Sequence, residues 1–335
     1  PWWGWYYWWR MPQTESQEIA HGSTTTTAGG TFQIDFTAKP DASVLPKDEP
    51  VFEYTVYADV TDSAGETRSD QQTVRVGYTA LQAALTADEW QTEGNAVRIA
   101  LKTTTLDGEA QQAEGSLKLY RLQQPDRVQR VALQPGQPRR FGRQAEDAGD
   151  AEPDWANPNT WPLGEMLEER GWTTDAAGDA SESFEMAEGV YRAVLETRDR
   201  FGKEVTARLQ LKVLNPQAAK LAIRIPNQVA APKWSVEPGG SFTAVWGSGY
   251  PAARAFVEIE RRGKRLQSYW TDPGRTQVQI EQAVDESLRG GFTLHVTMVR
   301  ENRAYLTSRK VAVPWTNMRL IVRWERFVSV LAPAV

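Results

Sequence analysis

Residues Tyr54 to Val76 read YTVYADVTDSAGETRSDQQTVRV, and residues Tyr191 to Val213 read YRAVLETRDRFGKEVTARLQLKV. In each, an aromatic residue opens a strict in-out alternation. An Asp follows eight residues later (Asp62, Asp199), and a Gly three after that (Gly65, Gly202). A second alternating run then closes the unit. The upstream flank repeats as well: Thr26-Thr27 with Gly29-Gly30, then Phe32 and Ile34, corresponds to Thr173-Thr174 with Gly178, then Phe184 and Met186. A third copy, FTLHVTMVRENRAYLTSRKVAV from Phe292 to Val313, has Arg300 and Arg303 where Asp and Gly stand in the others. Self-similarity at this spacing predicts a tandem array of one supersecondary unit.

The repeated unit reads as a β-hairpin. Alternation places Tyr54, Val56, Ala58 and Val60 on one face and the polar residues between them on the other. Tyr54, Val56 and Val60 are therefore expected to be buried, and Thr55, Tyr57 and Asp59 to face out. Asp-x-x-Gly supplies the turn: the Asp caps local backbone and the Gly tolerates positive φ. A lone hairpin is marginal in water, so each copy needs a sheet and a facing sheet to bury its apolar side. The predicted fold class is all-β, with tandem immunoglobulin-like antiparallel β-sandwich domains. With the insertion at 123–162 set aside, the spacings between the marker residues approach the roughly 100 residues of such a sandwich. The expected domains are a partial sandwich at 1–78, a sandwich at 79–215 carrying the insertion, a sandwich at 216–314, and the start of a further β domain at 315–335. The joints after Gly77, Asn215 and Pro314 are short and carry no Gly/Ser linker, so neighbouring domains are expected to abut. The partial units at both ends make the chain read as a segment of a longer array.

Composition places the chain among ordinary globular proteins, with 335 residues, 40% hydrophobic, 24% charged and a net charge of −5. No run approaches the ~20 apolar residues of a membrane span. The mild acidic balance argues against nucleic acid as a partner, since that needs clustered positive charge. Cysteine is absent, so stability comes from cores and not from disulfides.

The residues offer little for catalysis. Two histidines, His21 and His295, cannot build a His-rich metal site, and His295 reads as a polar strand residue. There is no Cys nucleophile, no Gly-x-Ser-x-Gly elbow and no glycine-rich phosphate loop. Asp62, Glu66 and Asp70 could suggest calcium, but their spacing lacks a ligand-rich loop and the turn already accounts for Asp62. The expectation is a protein that is not an enzyme and needs no cofactor or metal.

Three features could carry binding. Trp2, Trp3, Trp5, Tyr6, Tyr7, Trp8 and Trp9 crowd the N-terminus. As an exposed patch they would seat a polysaccharide or a protein partner; otherwise they are core aromatics covered by neighbouring structure. The insertion is Pro-, Gln- and Gly-rich, with a basic front (Arg127, Arg130, Arg139, Arg140, Arg143) and an acidic back. It reads as a flexible, protease-sensitive surface loop: a solvated hairpin extension or a dedicated protease lure. In the last sandwich, Trp234, Phe242, Ala244, Trp246, Phe256, Glu258, Glu260 and Tyr269-Trp270 read as inward-facing strand residues.

The stretch ADVTDSAGETRS, preceded by TTTTAGGTFQIDF and followed at domain length by VRENRAYLTSR, resembles the macroglobulin-like domains of the bacterial alpha-2-macroglobulin family. So do GVYRAVLETRDRFGKEV and the terminal LIVRWERFVSVLAP. The resemblance covers nearly the whole chain, the insertion least of all. It implies a structural scaffold segment of a periplasmic or extracellular protein, with any membrane anchor outside this chain. Such proteins trap and inhibit proteases: tandem domains form a ring, a bait region is cut, and the rearranged protein encloses the attacker. The partners implied are target proteases and neighbouring domains of the same longer chain. Many members carry a Cys-Gly-Glu-Gln thioester; this sequence, with no cysteine, does not contain one. The rival reading is a cell-surface or extracellular binding module that uses the N-terminal aromatics.

Overall fold

A computed structural model describes residues 18–41, 44, 50–131 and 154–315. Among them nearly all of the regular structure is strand, with two short 3-10 turns, Pro158–Thr160 and Glu286–Leu288. Contacts divide it into two compact units, Pro1–Ala80 with Thr105–Glu109, and Leu81–Thr104 with Ala110–Val335.

The first unit holds strands β1 (Val51–Thr61) and β2 (Thr67–Gly77), paired antiparallel along their whole length. Alternation holds as far as Ala58, with Phe52, Tyr54, Val56 and Ala58 half-buried and Thr55, Tyr57 and Asp59 exposed. Val60 departs from expectation: it is 41% exposed, because it lies opposite Arg68 near the turn, past the apolar cover. That cover is thin. Phe36 lies 5.8 Å from the Tyr54 ring, whose hydroxyl donates to Lys39 O at 2.9 Å. Phe32 and Ile34, the counterparts read from the flank repeat, are both exposed. The base is better tied: Leu106 packs against Gly77, and Asp107 Oδ1 accepts from the Arg75 N–H at 2.9 Å.

The second unit contains two sandwiches. In the first, a five-stranded sheet runs β4 (Gln91–Thr92), β10 (Glu204–Leu214), β9 (Gly189–Arg198), β6 (Glu114–Leu122), β7 (Leu163–Thr173). It faces a three-stranded sheet of β3 (Gln82–Thr86), β5 (Ala96–Thr104) and β8 (Asp179–Glu185). Strand β5 shows the sequence logic plainly: Val97, Ile99 and Leu101 point in and Arg98, Ala100 and Lys102 point out. They meet Leu117, Leu119, Trp172, Phe184, Tyr191, Leu195 and Leu211 in one core. Each fully buried side chain of this size contributes about 1.5–3 kcal/mol.

The second sandwich packs β11 (Gln228–Ala230), β12 (Ser241–Gly247) and β15 (Gln277–Ala283) against β14 (Lys264–Trp270), β13 (Phe256–Arg261), β16 (Phe292–Arg300) and β17 (Arg303–Val311). Phe242, Ala244 and Trp246 are buried as expected, with Trp234 packed against the same core. The reading of β13 was one residue out of phase: Val257 and Ile259 point inward, and Phe256, Glu258 and Glu260 point outward. Facing out lets Glu258 pair with Arg265 at 2.9 Å, where an inward carboxylate would be buried among apolar side chains. Trp270 is 54% exposed, its ring 5.0 Å from that of Phe256 and beneath the Arg254 guanidinium. Of the stub expected at 315–335, only Trp315 is among the described residues.

Candidate functional site: turns, joint and strap

The marker residues lie at hairpin tips. Asp62 closes β1–β2: its N–H donates to Glu66 O at 2.9 Å, and its Oδ1 accepts from the N–H groups of Ala64 and Glu66 at 2.8 and 2.9 Å. Gly65 donates to Asp62 O and takes φ +86°. Asp199 closes β9–β10 with the same set, receiving Phe201 and Lys203 N–H at 2.9 Å each, and Gly202 takes φ +79°. The closure recurs at Asp175–Asp179 and, with a threonine hydroxyl in place of the carboxylate, at Thr27–Thr31 and Thr105–Glu109. The flank repeat therefore aligns Thr27 with Asp175, not with Thr173-Thr174. The third copy turns differently. Glu301 and Asn302 both take positive φ in a two-residue loop, which needs neither the Asp nor the Gly.

Between the two sandwiches of the second unit lies a further apolar core. Leu122, Trp161, Val190 and Leu214 come from the first sandwich, and Leu221, Ile223 and Ile225 from the run leading into the second. Polar ties flank it. Gln277, buried, donates from Nε2 to Asn215 O and Ala218 O at 2.6 and 3.0 Å. Glu188 Oε1 accepts from the Ala222 N–H at 3.4 Å. Burial pushes the Glu188 carboxyl above the usual carboxylate range; backbone N–H groups of Ala222 and Asn215 oppose this, and nearby Glu93 adds to it.

The insertion read at 123–162 is structured at both of its described ends. At its root, the Gln123 N–H donates to Pro162 O at 3.0 Å, extending the β6–β7 pairing. From there Gln123–Val131 crosses onto the second sandwich. Arg224 donates to Pro125 O at 2.7 Å and its N–H to Gln124 Oε1 at 2.8 Å. Val128 enters the second sandwich's core, and Arg303 donates to Val131 O at 2.9 Å. On the returning side Trp161 is fully buried, its indole N–H donating to Trp155 O at 3.0 Å, and Arg192 donates to Asn159 O at 2.7 Å.

Of the arginines read as protease-sensitive, Arg127 and Arg130 are both exposed, and Arg130 donates to Glu301 O at 3.4 Å. Arg139, Arg140 and Arg143 lie outside the described residues, as do Trp2, Trp3, Trp5, Trp8 and Trp9. Sequence reasoning missed Val128, Arg224 and Trp161. The available signal was the apolar residues Val128, Val131, Trp155 and Trp161 within an otherwise polar run.

His21 pairs with Glu18 at 3.1 Å on the surface, and His295 sits 3.3 Å from Glu260 in a shallow depression shared with Glu258, Gly263 and Arg265. Glu66 pairs with Arg68 at 3.0 Å, and Asp70 accepts the Gln71 N–H. Among the described residues no three His, Asp or Glu side chains are placed to hold a metal, and no helix is long and apolar enough to cross a membrane.

No family model and no curated protein matches the sequence. Similar solved structures include the native E. coli alpha-2-macroglobulin, at 11% identity and a TM-score of 0.27, covering 78% of this chain and 17% of that one. The Salmonella alpha-2-macroglobulin reacted with methylamine gives 13% and 0.26, covering 79% and 17%. A tetra-tandem repeat from the extending region of a large adhesion protein gives 12% and 0.22, covering 78% and 57%. The chain thus spans less than two thirds of the length of each. The fold assignment rests on the chain's own sheets.

Proposed function

We propose that this chain is a scaffold segment of a macroglobulin-like protein: a run of β-sandwiches held in fixed orientation, not a catalyst. The observation that carries this reading is the apolar joint between the two sandwiches, where Trp161 and Ile223 are fully buried. A flexible connection between independent domains needs no core of its own. By the sequence resemblance, the whole protein would be periplasmic or extracellular and would trap proteases, with target proteases and adjoining domains as its partners. The rival binding-module reading rests on the N-terminal aromatics, which lie outside the described residues.

The test is limited digestion with a trypsin-like enzyme, with cut sites read by mass spectrometry and products by gel filtration. The scaffold reading expects cleavage at Arg139, Arg140 or Arg143 to leave the hydrodynamic radius unchanged and the protease free. Protease captured by the cut chain, or a radius that grows on cutting, would make this segment a lure instead. Relaxation measurements in which the two sandwiches tumble independently would remove the scaffold reading altogether.

A further inference from the structure

We propose that Gln123–Val131 is a strap that fastens the two sandwiches in parallel with their apolar joint, so that a break within 132–153 is structurally silent. The strap has an anchor at each end and one in the middle. Arg224 grips it at Pro125 O and Gln124 Oε1, Arg303 grips it at Val131 O, and Val128 is inserted between them into the second sandwich's core. Arg303 belongs to the second sandwich and Arg224 to the run leading into it, while the strap is continuous with β6 of the first. It is therefore a covalent extension of one sandwich used as a ligand by the other. It lies outside any strand, with a bend at Asp126–Arg127, so its hold comes from these side-chain and backbone hydrogen bonds and one apolar plug.

The far side of 132–153 is held independently. Trp161 is buried in the joint, and Arg192 of β9 donates to Asn159 O and to Trp161 O. Both stumps of a severed chain would thus remain seated on described structure, and neither would gain freedom to reorganise the joint. Scission would change connectivity without changing shape. This holds whether or not the whole protein traps proteases.

The absence of cysteine allows site-directed spin labels at two exposed strand positions, through Arg98→Cys on the first sandwich and Lys264→Cys on the second. A site-specific protease sequence is built into 132–153 of the full chain. Before cutting, a single narrow distance distribution is expected. After cutting it should be unchanged, the fragments should co-elute on gel filtration, and they should separate only in denaturant. Val128→Asp, which places an unpaired carboxylate in the core, should broaden the distribution and lower Tm by about 5 °C or more. Arg303→Ala, which leaves that core intact, should broaden the distribution after cutting with a smaller Tm change. A distribution that broadens on cutting the otherwise unaltered chain overturns the proposal. So does one that stays narrow in both strap variants after cutting.

Discussion

The hairpins β1–β2 and β9–β10 carry the same aromatic eight residues before the same turn, yet Tyr54 is half-buried while Tyr191 is 1% exposed. Their hydroxyls even find equivalent partners, Lys39 O for Tyr54 and Ala187 O for Tyr191, at 2.9 and 2.8 Å. What differs is the company. Strand β9 lies between β10 and β6 and has a facing sheet, whereas β1 pairs with β2 alone among the described strands. Local sequence makes the hairpin, and only tertiary packing turns its apolar side into core.

The comparison breaks most sharply at the tyrosines. Tyr191→Ala should cost about 3–5 kcal/mol, as expected for emptying an aromatic site in a closed core. Tyr54→Ala should cost about 1 kcal/mol, because water already reaches much of that face. Denaturant unfolding with hydrogen exchange resolved by strand would show this, and equal losses would mean that the β1–β2 face is as well covered as the β9–β10 face.

A smaller effect is expected at the turns. Asp199→Ala should cost about 1–3 kcal/mol, because Asp199 is only 6% exposed and accepts two backbone N–H bonds. Asp62→Ala, in the solvated turn, should cost about 1 kcal/mol or less. The glycines are the control. Neither Gly65 nor Gly202 has a neighbour within 4 Å of an added Cβ, so alanine at either meets only the backbone penalty of positive φ. That penalty is about 1 kcal/mol at both. A clear difference between them would show that tertiary packing reaches the turn geometry.

The smallest effect lies at the hairpin base, where Glu188 holds the place that exposed Val51 holds before Tyr54. Glu188 has its acid form favoured by burial, so its contribution to stability is fully present below the ordinary carboxylate pKa of 4.5 and is lost as pH rises through the higher folded value. Glu188→Gln should therefore stabilise the protein slightly at neutral pH, and the advantage should vanish in acid. A variant less stable than the parent at pH 7 would show that the Ala222 contact depends on the carboxylate charge.

Much of the fold was legible because strand and turn are local. Period-two alternation placed β1, β9 and β16, and Asp-x-x-Gly marked the tips of the first two hairpins. Phase was harder to read. In the run from Phe256 to Glu260 both registers offer apolar residues, and only the cost of burying Glu258 and Glu260 selects Val257 and Ile259. The strap was invisible to periodicity, since a non-strand segment held by Arg224 and Arg303, 99 and 172 residues away, leaves no repeat in its own sequence. The turns at Thr27 and Thr105 carry no Asp-x-x-Gly signal because a hydroxyl there does the work of a carboxylate.

The recurring turn also has a kinetic consequence. Every hydrogen bond that defines it is made within five consecutive residues, so each hairpin can close by itself in about 1–10 μs. Pairings such as β6 with β9, whose strands are separated by the whole insertion, must search a much longer loop. A chain built this way fixes its strand registers early and spends its slow steps only on bringing finished hairpins together.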